Sequence, residues 1–177
     1  MTNPVLNIIF ATDIGKAFGL GKQLPWPDNK DDFLFFKAMT LNNNVIMGRK
    51  TWESLPAPLT GRHNIVLSKK QDLCNGQTGF SGELYYKSPE DYLNYKRDDR
   101  INYIIGGAKL IEEVLLSHKY HIGNIYLTLF RNKHKADVLI AQKVLDLLFV
   151  TGKMHCNTTH VTSEYERYCF TPRMEGW

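Results

Sequence analysis

Short apolar runs alternate with stretches of helical spacing along this chain. The apolar runs predict strands at residues 5–11, 45–47, 64–67, 83–86, 101–105 and 122–130. Helices are predicted at residues 32–41, 49–55 and 108–117, and a further helix begins at Pro89 with Ser88 as its N-cap. Alternating Thr, Val, Tyr and Phe residues over 153–172 predict a C-terminal hairpin.

This order of elements predicts an α/β fold with a central, mixed and mostly parallel sheet. The hairpin makes the sheet mixed because it adds an antiparallel edge at the C-terminal end. We expect about eight strands and about four flanking helices in a single domain over residues 1–177. Residues 13–31 contain Gly and Pro and have little periodicity, which predicts a long loop of the kind that often forms a functional lid.

Composition narrows the class of protein. The 177 residues are 43% hydrophobic and 23% charged, as in ordinary globular proteins. The net charge is only +4 and the basic residues are dispersed, so neither nucleic-acid binding nor membrane insertion is expected. Cys74, Cys156 and Cys169 are too few and too scattered for a disulfide framework or a metal site. Because the N-terminus also lacks a signal-peptide pattern, we expect a cytoplasmic protein without a metal.

An acidic residue stands near the start of the first predicted helix, one position ahead of an aromatic face. Asp32 precedes Phe33, Phe36 and Lys37, which follow helical spacing. A carboxylate there commonly caps the helix, and capping is the more frequent role. Beside buried aromatic rings, however, a charge is costly unless it has a function. The pattern alone leaves both interpretations of Asp32 open. For the preceding Asp31 it predicts only a side chain exposed to solvent.

Three predicted strand ends share a second pattern. Segments 45–51, 65–70 and 103–109 each run from apolar residues into Gly or Ser and then into basic residues or a helix. Ligands of open α/β sheets bind at the carboxyl ends of strands, where helix N-termini attract phosphates. Basic residues such as Arg49 and Lys69 could neutralise further phosphates. The GxGxxG fingerprint is missing from the sequence, so a standard Rossmann site is not supported.

Over nearly its whole length the chain resembles the dihydrofolate reductase family. The most specific matching segment is the MGRxTWES-type run over residues 47–54. The other matching residues are Leu24-Pro25-Trp26, Asp32 with Phe36-Lys37 and Thr40, Gly61-Arg62 with Asn64, Ile105-Gly106-Gly107-Ala108, Tyr126-Leu127-Thr128 and Tyr168-Cys169-Phe170. The resemblance implies an enzyme that reduces 7,8-dihydrofolate with NADPH, by hydride transfer to C6 and protonation at N5 of the pterin. It also implies a role in one-carbon and thymidylate metabolism.

The resemblance further implies roles for individual residues at the substrate. Asp32 is the acidic residue of the pterin pocket, and Thr128 is the hydroxyl that bonds its carboxylate. Trp26 anchors a water that donates the proton, and Arg62 binds the glutamate α-carboxylate of the substrate. The remaining implied substrate contacts are Ile9, Phe33, Phe36, Leu55, Leu59 and Ile105. For the apolar positions, ordinary core packing is the alternative.

For NADPH, the resemblance implies two phosphate-binding helix starts, Gly48-Arg49-Lys50-Thr51 and Gly106-Gly107-Ala108-Lys109, with a cis peptide between Gly106 and Gly107. Ser68 and Lys69 stand where family members contact the adenosine 2′-phosphate. Gly19 and Leu24 belong to the mobile loop that closes over the nicotinamide. The other implied cofactor contacts are Ala11, Leu67, Ile105 and Leu110.

Two positions depart from the family pattern. Ile111 stands where many relatives carry an aromatic residue facing the nicotinamide. Ala136-Asp137 replaces the usual Gly-Asp pair. The coupling between the loop over residues 131–137 and the mobile loop is therefore expected to differ from that in the family. Two other functions stay open, namely a reductase of the same fold acting on another heterocycle, such as a ribosylated pyrimidine, and a non-catalytic scaffold protein. We expect a monomer, with a dimer as the alternative.

Overall fold

The computed structural model describes residues 5–69, 76–96, 98–117 and 120–173. Lys70 of the segment 65–70, Cys74 and the tail 174–177 lie outside the described residues. The strands are β1 (Leu6–Asp13), β2 (Ala17–Gly19), β3 (Asn44–Gly48), β4 (His63–Leu67), β5 (Gln77–Thr78), β6 (Leu84–Tyr86), β7 (Asn102–Gly106), β8 (Ile122–Phe130), β9 (Val138–Leu139), β10 (Met154–Val161) and β11 (Tyr165–Pro172). The helices are α1 (Lys30–Thr40), α2 (Arg49–Ser54), α3 (Pro89–Tyr95), α4 (Ala108–Leu116) and α5 (Gln142–Phe149).

Nine of these strands form one sheet in the order β10-β11-β8-β1-β7-β3-β4-β6-β5, and β2 pairs separately with β9. The pairings from β8 across to β6 are parallel. At one edge β11 and β10 pair antiparallel, and at the other edge β5 does the same. The predicted mixed α/β sheet with an antiparallel C-terminal edge is therefore confirmed. None of the helices in the described residues is long and apolar enough to cross a membrane.

Most predicted elements lie within a few residues of their expected bounds. The predicted cap of α3 is confirmed, because the Ser88 hydroxyl accepts a 3.1 Å hydrogen bond from the Asp91 backbone N–H. Helix α5 and the short strands β5 and β9 were not predicted. The buried residues of α5, Val144, Leu147 and Leu148, follow helical spacing, so the sequence did contain a signal for this helix.

The segment predicted as one loop over residues 13–31 is more ordered than expected. β1 continues to Asp13, β2 lies within the segment, and α1 already begins at Lys30. Its short strand pairs with β9, a distant partner that local spacing cannot reveal. The prediction of one long loop over the whole segment is therefore wrong at its two ends and at β2.

The core is built around β1, which has a parallel neighbour on each side. Ile8 of β1 stands in register with Ile104 of β7 and Ile125 of β8, and all three side chains are fully buried. A strand in this position is covered on both faces, which explains its nearly continuous apolar run. A smaller cluster of buried side chains lies beside the segment that follows β1, and it consists of Ala17, Trp26, Phe130 and Tyr165.

Candidate active site

Helix α1 is capped by an asparagine that precedes the acidic residues. The Asn29 side-chain oxygen accepts a 2.9 Å hydrogen bond from the Asp32 backbone N–H. Asp32 therefore lies in the first turn but is not the N-cap, and the capping interpretation of this residue is wrong. The amide nitrogen of Asn29 also donates to Glu164 at 3.0 Å, which ties the start of α1 to the turn between β10 and β11.

The Asp32 side chain is directed toward the sheet and is only 15% exposed. The Thr128 hydroxyl, near the end of β8, donates a 2.7 Å hydrogen bond to its Oδ1 atom. Burial raises the pKa of Asp32 above its ordinary value, although the Thr128 hydrogen bond and the Arg167 charge act in the opposite direction. The contact implied by the resemblance is thus present, and it involves a carboxylate that is largely removed from water.

Sequence reasoning missed a buried arginine behind this carboxylate. Arg167 of β11 stands opposite Thr128 in the antiparallel register and is 6% exposed. Its Nη2 atom lies 3.7 Å from Asp32 Oδ1. It also lies 3.5 Å from Asp31 Oδ2, so Asp31 is more than a solvated neighbour. Strand register brings these residues together, and the only local hint was a charged residue inside an alternating strand pattern.

One face of α1 carries Asp32 near the start of the helix and contacts Arg62 near its end. Asp32, Phe36 and Thr40 follow one another at intervals of four residues, which places them on the same side of the helix. Arg62 donates to the Thr40 hydroxyl at 3.2 Å, and its guanidinium lies 5.8 Å from the centre of the Phe36 ring. Burial lowers the pKa of Arg62 from its ordinary value. The two predicted polar ends of the substrate site therefore lie along one helix face.

The other predicted substrate residues differ in how they are held and how far they are exposed. Leu55 ends α2, and Leu59 is held by Asn64, which exchanges hydrogen bonds of 3.2 and 3.1 Å with its backbone. Phe33 is exposed, whereas Ile9 is buried in β1. The residues partly covered are Phe36, Leu55, Leu59 and Ile105.

Two helix starts meet on the other side of the site. Gly48 and Gly107 are the N-caps of α2 and α4, and within the described part of the chain no side-chain hydrogen bond caps either helix. A Cβ atom on Gly48 would lie 3.9 Å from the Gly107 backbone nitrogen. The peptide between Gly106 and Gly107 is cis, and Gly106 has a φ of 147°, a conformation that favours glycine. Backbone N–H groups at adjacent helix starts form a suitable place for phosphates.

The other residues predicted for the cofactor differ in their contacts and burial. Arg49 pairs with Glu53 at 2.6 Å on the exposed side of α2. Ser68 is buried at the end of β4, and its backbone N–H donates to Tyr86. The remaining predicted cofactor positions fall into three burial classes. The exposed residues are Lys50, Lys69, Lys109 and Leu24. The buried residues are Leu67 and Ala108, and the partly covered ones are Ala11, Gly19, Thr51 and Leu110. Ile111 is fully buried in the main core.

The segment after β1 is fastened to the segment after β8. Gly21 donates its backbone N–H to the Asp137 carboxylate at 2.8 Å, and the Asp137 N–H donates to the Gly19 carbonyl at 3.0 Å. Trp26 stacks on Phe130 with ring centres 4.6 Å apart. The two loops are therefore joined through Asp137, although an alanine precedes it.

Taken as a whole, the fold and site define a class of α/β proteins that bind ligands at the carboxyl ends of parallel strands, with a buried carboxylate on one side and open helix starts on the other. A family model described as dihydrofolate reductase matches residues 5–168. The chain belongs to the dihydrofolate reductase family.

Individual relatives agree with this assignment. Dihydrofolate reductase type 8 of Escherichia coli is 31% identical over 138 residues, which cover 76% of this chain and 79% of the relative. The dihydrofolate reductase of Bacillus subtilis is 30% identical over 133 residues, covering 75% and 73%. A solved dihydrofolate reductase from Enterococcus faecalis, complexed with NADP(H) and RAB-propyl, superposes with a TM-score of 0.75 at 23% identity and covers 98% of both chains. This last comparison shows the same fold.

Proposed function

We propose that this protein reduces 7,8-dihydrofolate to 5,6,7,8-tetrahydrofolate with NADPH. Beyond family membership, one observation carries the proposal. The Asp32 carboxylate is nearly buried, its Oδ1 atom is held by Thr128, and among the described residues no hydrogen bond uses its Oδ2 atom. A buried carboxylate that keeps acceptor sites open suits a ligand that presents two N–H donors side by side.

The pterin ring presents such a pair, its ring N–H and its 2-amino group. We infer that both donate to Asp32, which orients the ring and stabilises the positive charge that develops when N5 is protonated. When bound, the nicotinamide supplies the hydride that reduces C6. Asp32 faces the amino edge of the pterin, so an ordered water beside Trp26 is the proposed proton donor to N5. Phe36, Leu55 and Leu59 would then pack against the pterin and aminobenzoyl groups.

Arg62 would bind the far end of the substrate. Its planar guanidinium suits the glutamate α-carboxylate, and a two-pronged hydrogen bond is stronger and more directional than a single one. The common face of α1 that joins Asp32 to Arg62 supports this extended binding mode.

The glycine turns support NADPH as the cofactor. Among the described residues no side-chain hydrogen bond caps the two helix starts, and a Cβ atom on Gly48 would lie only 3.9 Å from the Gly107 backbone nitrogen, in the space between them. Backbone groups of Gly48-Arg49-Lys50-Thr51 and Gly106-Gly107-Ala108-Lys109 would hold the phosphates, and Ser68 and Lys69 would face the 2′-phosphate. The Enterococcus faecalis relative of the same fold is complexed with NADP(H), in line with this choice.

The product would supply one-carbon and thymidylate metabolism. A cytoplasmic location, a single domain and a monomeric state stay predictions from the sequence.

The decisive experiment measures NADPH oxidation by the purified chain with and without dihydrofolate. We expect oxidation only when dihydrofolate is present. Asp32→Asn should lower kcat/KM by about 10² or more, because the charge that stabilises the protonated pterin is lost. Asp28→Asn is the matched control, since Asp28 is exposed just before the helix.

Full activity in Asp32→Asn would remove the assigned role of this carboxylate. A substrate panel containing a ribosylated pyrimidine tests the competing reductase function. Turnover of the pyrimidine in preference to dihydrofolate would overturn the proposal, and an absence of any turnover would favour a scaffold role.

A further inference from the structure

We propose that Arg167 is a positioning residue for Asp32, a buried cation that supplies the counter-charge of the carboxylate and orients the Thr128 hydroxyl that holds it. The consequence for pterin binding rests on the proposed function. The interaction between Arg167 and Asp32 does not, and it can be measured without any ligand.

The guanidinium of Arg167 lies between two carboxylates of α1. Its Nη2 atom is 3.7 Å from Asp32 Oδ1 and 3.5 Å from Asp31 Oδ2. The first distance is too long for a good hydrogen bond but short enough for a strong interaction between charges in a partly dry site. The Asp31 side chain is 59% exposed, compared with 15% for Asp32. Water therefore screens Asp31 more, and Asp32 is the carboxylate more dependent on the buried cation.

Aromatic rings hold the arginine in place. Its guanidinium carbon lies 3.9 Å from the centre of the Phe35 ring and 5.2 Å from that of Tyr165. A planar guanidinium stacks on such rings better than an ammonium group does. Phe35 belongs to α1 and Tyr165 to β11, so the stack also joins the helix that carries Asp32 to the sheet. The position of the charge is consequently well defined.

A second contact runs through the hydroxyl of Thr128. The Arg167 Nε–H group faces Thr128 Oγ1 at 3.4 Å, and Thr128 in turn donates to Asp32 Oδ1 at 2.7 Å. A hydroxyl has one hydrogen to donate. If its oxygen accepts from Arg167, that hydrogen is free to point at Asp32. Arg167 thereby favours the rotamer of Thr128 that holds the carboxylate.

The other charged and polar groups around Arg167 and Asp32 determine in which direction each substitution should change the ionisation of Asp32. Asp31, from the same helix, is a like charge that opposes ionisation of Asp32, whereas Arg167 favours it. On the strand side, the Tyr165 hydroxyl donates to Asp31, and His160 of β10 lies 3.8 Å from the same carboxylate. Removing Asp31 and removing Arg167 should therefore change the ionisation of Asp32 in opposite directions.

The test is a titration of the aspartate carboxyl carbons by NMR in the ligand-free, full-length protein, with Asp32→Asn used to assign the signal. Arg167→Met should move the titration midpoint of Asp32 to higher pH, and Asp31→Asn should move it to lower pH. Arg167→Gln is a second variant, because it removes the charge while keeping an amide donor for Thr128. It should also move the midpoint to higher pH, and it keeps the test decisive if the methionine variant does not fold.

Dihydrofolate binding gives the functional readout. In Arg167→Gln the dissociation constant should rise by up to about tenfold at pH values between the wild-type and variant titration midpoints of Asp32, as expected when an opposite charge near a carboxylate is lost. This loss should shrink as the pH is raised, because Asp32 becomes ionised again. A merely structural arginine would weaken binding equally at every pH.

Two results would overturn the proposal. One is an unchanged Asp32 midpoint in both arginine variants, and the other is a shift in the same direction for Arg167→Gln and Asp31→Asn. If the wild-type protein did not reduce dihydrofolate, the proposed function would fail, but the titration would still decide whether Arg167 controls Asp32.

Discussion

Asp13 and His134 are joined by two contacts although they stand 121 positions apart. The His134 backbone N–H donates to Asp13 Oδ2 at 2.6 Å, and its ring Nδ1 lies 3.0 Å from the same atom. The other carboxylate oxygen accepts from the N–H groups of Gly15 and Ala17 at 2.8 and 2.9 Å. This buried carboxylate therefore closes the turn after β1 and fastens it to the segment after β8, beside Trp26.

Asp13→Asn should lower the free energy of unfolding at pH 7 by about 3 kcal/mol, because an amide has one acceptor oxygen where the carboxylate has two charged ones. Burial by itself raises the pKa of Asp13, but the hydrogen bonds from Ala17, His134 and Gly15 outweigh it and hold the pKa below its ordinary value of 3.8. The stability that the charge provides is thus complete above this ordinary value and is lost as the pH falls through the lower folded pKa.

Urea unfolding of the wild type and Asp13→Asn across this acidic range checks the prediction. The difference between the two proteins should shrink toward low pH, and Asp28→Asn, at an exposed position, should match the wild type throughout. A difference that stays constant or grows as the pH falls would contradict the role of the Asp13 charge.

Asn29→Ala should lower the free energy of unfolding by about 1 kcal/mol, the usual cost of losing an N-cap. The variant loses the hydrogen bond to the Asp32 backbone and the link to Glu164. The measurement is the urea midpoint at constant m-value, with Asp28→Ala as the control one position earlier. Equal midpoints for both variants would show that Asn29 does not cap α1 in solution.

The two glycine turns should respond differently to alanine. Gly106 has a φ of 147°, so Gly106→Ala should destabilise the fold by about 1–3 kcal/mol. Of the residues that the structure describes, a Cβ atom on Gly48 would meet only the Gly107 backbone nitrogen, at an ordinary contact distance of 3.9 Å, so Gly48→Ala should fold normally. Its methyl group would nevertheless stand between the two helix starts and raise the dissociation constant of NADPH. Unfolding curves and NADPH fluorescence titrations separate these effects, and unchanged NADPH affinity in Gly48→Ala would count against the proposed phosphate site.

Arg62→Lys should raise the KM for dihydrofolate by about tenfold with little change in kcat, because an ammonium group cannot form the paired hydrogen bonds of a guanidinium. Arg131→Lys, which alters an exposed pair with Glu166, is the matched control. A dihydropteroate substrate without glutamate should bind both forms equally. If Arg62→Lys weakened this shorter substrate as well, Arg62 would be acting on something other than the glutamate.

Local signals in the sequence were sufficient for much of the fold. The continuous apolar run of β1, the Ser88 cap of α3 and the alternating hairpin β10–β11 each depend on neighbouring residues, and all three are confirmed. The same local reasoning failed at the start of α1. Asn29 and Asp32 are both good first-turn residues, and only the three-dimensional geometry shows which of them is the cap.

The sequence by itself determined the α/β class, the glycine turns and, through family resemblance, Asp32 with Thr128 as its partner. The tertiary structure alone decided what surrounds that carboxylate. Arg167 reaches Asp32 because antiparallel pairing places β11 beside β8, so that Arg167 stands opposite Thr128. Strand register depends on contacts between residues far apart in the chain, and no local pattern encodes it. The charge environment of the proposed catalytic group is therefore a property of the folded sheet.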